Sequence, residues 1–124
     1  MEDHFASLKL IQRYRLATLT PVPNGTFVVE IPAFPLPDGW NARSTTVYFI
    51  VPVGYPVAKP DTFWTSPDLR LAGGGMPNGT NQQNPPGIPP DLLWFSWHPS
   101  VWNPNRDSLI NYAEVIAQRF REAR

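Results

Sequence analysis

The sequence predicts an α+β fold in which a four-stranded antiparallel meander carries an N-terminal and a C-terminal helix packed on one face. Strand-like segments in the first half of the chain are separated by tight turns, which favours neighbouring antiparallel strands. Residues 105–124 repeat apolar side chains at helical spacing. The chain has 16 prolines, and these mark where elements end because proline interrupts helices and strand ladders.

The first predicted element is a helix over residues 5–14 that begins near Asp3, with an extended arm as the alternative interpretation. Its apolar positions are Phe5, Leu8, Ile11 and Tyr14. Strand-like alternation follows from residue 15, and Asn24-Gly25 favours a tight turn because both residues adopt positive φ readily. Residues 15–33 are therefore expected to form a hairpin.

Residues 44–56 form the most strand-like segment of the chain, rich in β-branched and aromatic side chains. Both faces are apolar towards its end, which is typical of a central strand covered by a helix. Residues 61–67 predict a short fourth strand. Residues 79–91 fit neither helix nor strand, and the apolar segment after them is irregular.

The C-terminal helix is expected within residues 105–124, with Asn105 or Asp107 as its N-cap. Its apolar stripe consists of Leu109, Ala113, Ile116 and Phe120. Four arginines in this region are expected on a solvated helix face rather than in a nucleic-acid site. These arginines are Arg106, Arg119, Arg121 and Arg124.

Length and composition indicate one domain over residues 1–124. The formal net charge of +0 argues against a nucleic-acid partner. No apolar run approaches the ~20 residues that span a bilayer, and no signal-like N-terminus is evident, so a cytoplasmic protein is expected. The absence of cysteine excludes disulfides and thiolate metal sites. No ligand cluster surrounds His4 or His98, so no metal or other cofactor is expected.

The segment GYPVAKPDTFWT, residues 54–65, carries a recognisable pattern. A tyrosine at the end of a strand can plug the sheet edge, and two prolines fix the reversal into the next strand. Downstream, the sequence WNP opens the C-terminal helix. The residues of this structural motif are Tyr55, Pro56, Pro60, Phe63, Trp102 and Pro104.

These patterns resemble the Tyr-Pro-x-x-x-Pro turn and the Trp-Ser-Pro segment of the ubiquitin-conjugating (UBC) fold, and RWD domains share the first of them. The long loop and the phrase WFSWHPSVW most resemble the divergent prokaryotic branch of that superfamily. The resemblance implies a UBC-like fold in a bacterial ubiquitin-like protein conjugation pathway. The partners it implies are a ubiquitin-like modifier and a ThiF-type activating enzyme, in association with JAB-type isopeptidases.

Departures from the family pattern are as informative as the matches. The family's His-Pro-Asn triplet has its nearest echo in Met76-Pro77-Asn78, and the loop after it, where the family carries its catalytic cysteine, has none. The sequence also ends with the second helix, where the family has two more. By position, residues 79–91 occupy the family's active-site loop without its thiol. A binding or positioning role and a remnant or flexible connection are both open interpretations of this loop.

The favoured functional hypothesis is a UBC-like, non-thiol subunit that binds the modifier or a catalytic partner without carrying the modifier itself. The family's partner surfaces lie on the N-terminal helix and on the loops near the active site. By position, the residues implied are Phe5, Leu8, Lys9, Trp94, Trp97 and Trp102.

An active transferase that forms an oxyester is a second hypothesis. A hydroxyl needs an adjacent base to act as a nucleophile, and Ser96 and Ser100 each lie two residues from His98, with Thr80 as a further hydroxyl. These three residues, Ser96, His98 and Ser100, are the candidate catalytic set. The alternative is structural, with His98 capping the turn at Pro99 and Ser96 hydrogen-bonded locally.

A third hypothesis is an aromatic groove that binds a peptide or other ligand. Trp94 and Trp97 would form it together with Pro85-Pro86 and Pro89-Pro90. Core packing is the alternative role for both indoles.

Overall fold

The computed structural model describes residues 1–83 and 85–124, so Asn84 of the predicted loop lies outside the described residues. The helices are α1 (Glu2–Leu10), a 3-10 turn (Gln12–Tyr14) and α2 (Leu109–Phe120). The strands are β1 (Thr18–Pro21), β2 (Phe27–Pro35), β3 (Ser44–Val51), β4 (Phe63–Thr65), β5 (Thr80–Asn81) and β6 (Leu93–Phe95). No helix of the described chain has the length and apolar character that crossing a membrane requires.

The sheet has six strands in the order β1-β2-β3-β4-β6-β5, and every neighbouring pair is antiparallel. The predicted hairpin forms β1 and β2, and the first four strands are neighbours in chain order. The predicted count of four strands is wrong, because β6 forms in the segment expected to be irregular and β5 within the expected loop. Both strands are too short to show a period in sequence, and they are held by pairing to a neighbour.

One face of the sheet and both helices enclose the main hydrophobic core. Phe63 of β4 and Phe95 of β6 stack with their ring centroids 4.7 Å apart. Phe120 of α2 meets both rings edge-on, at 5.6 and 5.9 Å. Leu8 of α1 is fully buried in the same cluster. Both helices therefore lie on one face, and the expected α2 stripe of Leu109, Ala113, Ile116 and Phe120 is buried.

A β-bulge in β2 brings one more aromatic ring into this core. Ile31 pairs with Val47 but Phe34 pairs with Thr45, so β2 has one residue more than β3 between these positions. The bulge contains Ala33, whose φ is +55°. Because the bulge resets the alternation, Ile31 and Phe34 are both buried.

A proline-rich strap, residues 85–92, covers the opposite face of the sheet. Ile88 and Leu92 of the strap are buried against Val22, Val28 and Trp64 in a second cluster, which Tyr48, Ile50 and Trp94 border. The indole N–H of Trp64 donates a 2.7 Å hydrogen bond to the carbonyl of Gln83, just before the strap. This packing opposes the interpretation of the loop as a flexible connection.

The start of α2 differs from the expected one. Ser108 is the N-cap, where Asn105 or Asp107 was predicted, and Asn111 completes a reciprocal capping box. The backbone N–H of Ser108 donates to Oδ1 of Asn111 at 2.8 Å. This N–H has no hydrogen-bond acceptor within the helix, so the side chain of Asn111 supplies one. Asp107 is instead the anchor of the preceding turn, because its Oδ2 accepts from the backbone N–H of Asn103 at 2.7 Å.

Arg119 is buried, so its predicted place on a solvated helix face is wrong. Its guanidinium donates to the carbonyls of Glu122, Arg124 and Asn78 at 2.7, 2.8 and 3.0 Å. These three carbonyls replace water as hydrogen-bond acceptors of the guanidinium. The bond to Asn78 connects the end of α2 to the turn before β5. Burial lowers the pKa of this guanidinium from its ordinary value.

Gly87 tests whether the strap is fixed by its fit to the sheet. Its φ is +89°, and a Cβ added there would lie 2.6 Å from Val22. We expect Gly87→Ala to lower the free energy of unfolding by about 2–3 kcal/mol, measured by urea denaturation, through backbone strain and overpacking.

Gly73→Ala is the matched control, because Gly73 has no positive φ and nothing lies within 4 Å of its added Cβ. This control is expected to change stability by less than about 0.5 kcal/mol. Equal effects of the two substitutions would show that the strap does not depend on its contact with Val22.

Candidate functional site

The candidate site lies at the tyrosine-proline corner, where β3 ends and the chain reverses into β4. Gly54 has a φ of +89°, which a residue with a Cβ adopts only with strain. The reversal is closed by backbone hydrogen bonds from Tyr55 to Pro52 at 3.2 Å and from Ala58 to Gly54 at 3.1 Å. The corner is therefore a defined turn, and Pro60 at its end is buried.

Tyr55 joins this corner to both helices. Its hydroxyl lies 2.6 Å from Nδ1 of His4 in α1, and the two rings meet edge-on at 5.5 Å. Burial raises the pKa of Tyr55 to about 12, and a backbone hydrogen bond from Leu109, the first residue of α2, partly opposes this rise. The phenol therefore stays protonated at neutral pH as a fixed link between the corner and the two helices.

Trp102 ties the segment before α2 to the same corner. Its indole N–H donates a 2.8 Å hydrogen bond to the carbonyl of Pro56, and its ring lies 6.4 Å from that of Tyr55. The structural motif predicted from the sequence is thus assembled in space, with Phe63 in the core and Pro104 in the turn that precedes α2.

A closed turn follows Trp102. The backbone N–H of Asp107 donates to the carbonyl of Asn103 at 2.7 Å, while Asn103 donates back to the Asp107 carboxylate. The pKa of Asp107 lies below its ordinary value, chiefly because Asn103 donates this bond and also because Arg106 lies beside the carboxylate. The ionised carboxylate therefore holds the approach to α2 in place.

His98 pairs with Asp61, a residue that the sequence analysis did not single out. Its Nδ1 lies 2.8 Å from Oδ1 of Asp61 and 2.9 Å from the carbonyl oxygen of the same residue. The two side chains are 52% and 59% exposed, so the pair faces solvent rather than the core. His98 therefore contacts the start of β4, whereas the structural interpretation had placed it as a cap on the turn at Pro99.

The structure gives the candidate catalytic hydroxyls no bond to His98. Ser96 is half-buried, and its backbone N–H donates to the carbonyl of Gly79 at 2.9 Å. Ser100 is exposed, and Thr80 donates its hydroxyl to the carbonyl of Pro77 at 2.8 Å. In the described chain no hydrogen bond joins Ser96, Ser100 or Thr80 to His98, and a catalytic role for Ser96, His98 and Ser100 stays a prediction.

The residues predicted to bind a partner fall into different environments. In α1, Leu8 is fully buried and seats the helix, Phe5 is half-buried, and Lys9 is exposed with its Nζ 5.9 Å from the Phe5 ring. The three tryptophans Trp94, Trp97 and Trp102 are all half-buried. That this set binds a partner stays a prediction.

Trp94 and Trp97 pack in different clusters. Trp94 borders the strap-side cluster, whereas Trp97 packs against the helix-side core. The carbonyl of Trp97 accepts from the hydroxyl of Tyr112, and its ring lies 5.4 Å from the Arg119 guanidinium. The single groove proposed from these two indoles is therefore not formed, because Trp94 of β6 and Trp97, which lies beyond the end of β6, border different clusters.

The turn Met76-Pro77-Asn78 lies just before β5. The backbone N–H of Asn78 donates to the carbonyl of Arg124 at 3.1 Å, and its carbonyl accepts from Arg119. Met76 is 56% exposed. This turn is therefore bound to the C-terminal segment, and its position is set by α2.

The histidine and carboxylate side chains are dispersed over the described part of the chain, residues 1–83 and 85–124. No group of three or more histidine, aspartate or glutamate side chains there converges on a common point. His4 and His98 are each committed to one protein partner, Tyr55 and Asp61.

Comparison with protein families decides the relationship of the chain. Residues 9–123 match Prokaryotic E2 family E, which covers most of the sequence. The chain belongs to this prokaryotic E2 family. The UBC-like resemblance inferred from the tyrosine-proline corner and the WNP segment is thereby confirmed at the level of a divergent prokaryotic E2-like member. No curated protein and no solved structure matches this E2-like chain.

The low pKa of Asp107 predicts how stability of this E2-like protein depends on pH. Because the folded-state pKa is below the ordinary value of 3.8, the contribution of the ionised carboxylate is present above pH 3.8. It is lost as pH falls through the lower folded-state value. We expect Asp107→Asn to reduce the acid-induced fall in the urea midpoint that the wild-type protein shows below pH 3.8.

Asp68→Asn is the control for this measurement, because Asp68 is exposed and only its backbone carbonyl accepts a hydrogen bond in the described structure. It should follow the wild-type curve. An Asp107→Asn curve parallel to that of the wild type would contradict the role given to this carboxylate.

Proposed function

We propose that this protein is a non-thiol, UBC-like subunit of a bacterial ubiquitin-like protein conjugation pathway. It binds the ubiquitin-like modifier or the ThiF-type activating enzyme and does not carry the modifier itself. Membership of a prokaryotic E2 family supports the pathway. The observation that carries the non-thiol role is the absence of cysteine from all 124 residues, because thioester exchange needs a thiol.

An exposed patch at the tyrosine-proline corner supports the binding role. Hydrogen bonds from Trp102 to Pro56 and from His98 to Asp61 join the segments 56–61 and 98–102 at both ends. The side chains between these two links are held in place by backbone that is fixed at both ends. We name the exposed ones the corner patch: Val57, Lys59, Ser100 and Val101.

The corner patch has the chemical character of a partner surface. Val57 and Val101 are 79% and 73% exposed, and each is the chain neighbour of a residue in the Trp102–Pro56 hydrogen bond. Exposed valines beside a fixed turn gain free energy when a partner removes them from water. The turn requires little ordering on binding, which favours affinity for a given area.

Size-exclusion chromatography with a ubiquitin-like modifier and a ThiF-type activating enzyme tests the proposal. We expect a stable complex, and titration calorimetry should give a dissociation constant that Val57→Asp or Val101→Asp raises by at least about 10-fold, because a carboxylate is costly to bury.

Leu16→Asp is the matched control. Leu16 is also exposed, at 61%, but lies outside the corner patch in the segment before β1. It should leave the dissociation constant within about 2-fold of the wild-type value. Lack of any complex between the wild-type chain and either partner would defeat the proposed function, whereas equal losses for all three variants would remove the corner patch as the binding surface.

A further inference from the structure

The pairing of His98 with Asp61 fixes which imidazole nitrogen carries hydrogen. Nδ1 of His98 lies within hydrogen-bond distance of a backbone carbonyl oxygen and a carboxylate oxygen, and both of these groups accept hydrogen bonds when the carboxylate is ionised. Nδ1 must therefore be the donor. In the neutral imidazole this leaves the lone pair on Nε2.

Nε2 of His98 makes no hydrogen bond to any residue in the described chain. The His98 side chain is 52% exposed, and every hydrogen bond of its ring in the described chain is made by Nδ1 to Asp61. No hydroxyl of Ser96, Ser100 or Thr80 hydrogen-bonds to Nε2 in the described chain. The pair supplies two members of a nucleophile–base–carboxylate triad, the imidazole base and the carboxylate that orients it. The third member, the nucleophile, would have to come from another molecule.

We propose that His98 is a proton-accepting base and Asp61 its positioning residue, acting on an amine that an acceptor substrate brings to the corner patch. The inference rests on the proposed function, because the acyl donor is the modifier held as a thioester on its activating enzyme. This chain would then contribute general base catalysis to transfer without forming a covalent intermediate of its own.

The proposed transfer step moves the modifier from the activating enzyme's sulfur to the acceptor's amine nitrogen. The neutral amine nitrogen of the acceptor attacks the thioester carbonyl carbon, a C–N bond forms and the C–S bond breaks. The sulfur leaves as the activating enzyme's thiolate, and the proton that the nitrogen loses passes to Nε2 of His98. His98 returns that proton to solvent, and Asp61 remains the acceptor of the Nδ1 hydrogen bond throughout.

A small cavity beside the pair offers room for the acceptor side chain. Its volume is about 200 Å³, and it opens at the end of β3 and the start of β4. The residues that line it are Ile50, Pro52, Lys59, Asp61, Thr62 and Trp64. Asp61 borders this cavity and also contacts Nδ1 of His98, so the cavity and the imidazole share one neighbouring residue.

The first experiment needs no partner. Nitrogen-15 NMR of the imidazole rings of the whole chain reports which nitrogen of neutral His98 carries hydrogen. We expect hydrogen on Nδ1 in the wild-type protein and a shift towards the Nε2-protonated form in Asp61→Ala. A wild-type His98 protonated mainly on Nε2 would overturn the proposal, because no lone pair would face the acceptor.

The second experiment measures transfer. The activating enzyme loaded with modifier is mixed with free lysine as the amine, with and without this chain, and the loss of thioester is followed. We expect the wild-type chain to accelerate transfer, and His98→Gln to reduce that acceleration by about 100-fold while the complex on size exclusion persists. Asp61→Asn should lower the rate at saturating lysine more than it changes the half-saturating concentration.

Asp68→Asn is the control and should keep the wild-type rate. Full transfer by His98→Gln in an intact complex would overturn the base but leave the binding role standing. Absence of the complex itself would defeat the proposed function and the base together. A hydroxylamine-sensitive adduct on this chain that Ser96→Ala or Ser100→Ala abolishes would also overturn the proposal, since the nucleophile would then be internal.

Discussion

A sheet with apolar side chains on both faces must be covered on both, and this requirement organises the whole molecule. In β3, Val47, Phe49 and Val51 point into the helix-side core, while Tyr48 and Ile50 border the strap-side cluster. Each face removes several large side chains from water, and burial of that kind dominates folding free energy. The strap is therefore the second cover of the sheet, and its irregular path follows from six closely spaced turn formers between residues 85 and 91.

The path of the strap over the second face of the sheet also determines where the candidate site lies. The chain crosses from β4 through the strap and returns as β6 beside β4, which places residue 98 close to the start of β4. Asp61 and His98 are 37 residues apart in sequence but meet there. At this end of the sheet the contacts are polar and directional, as in Tyr55 with His4 and Trp102 with Pro56. Such contacts fix the backbone while leaving the corner patch exposed, which is the arrangement a recognition surface requires.

Periodicity explains which parts of the fold were predictable. The stripe of α2 and the strands β1 to β3 carry a period long enough to detect. The tyrosine-proline corner has a distinctive sequence, and its reversal predicts β4. β5 and β6, with two and three residues, carry no detectable period. The bulge before Phe34 breaks the alternation that a strand prediction assumes. Asn105, Asp107 and Ser108 are all good caps, so composition alone could not select Ser108. Arg119 was misplaced because its partners are backbone carbonyls, which no side-chain pattern reveals.

The same reasoning separates groups that serve stability from groups that serve chemistry. Arg119 is buried, and its charge is compensated by three carbonyls. Removing it would leave the Asn78 carbonyl without its donor and loosen the turn before β5. The pair of Asp61 and His98 is more than half exposed, and ion pairs of that kind contribute at most about 1 kcal/mol to folding. Its larger physical effect is on the imidazole, whose tautomer and direction it sets. A change at His98 that alters transfer while leaving the unfolding free energy nearly constant is therefore attributable to the proton-accepting nitrogen rather than to the fold.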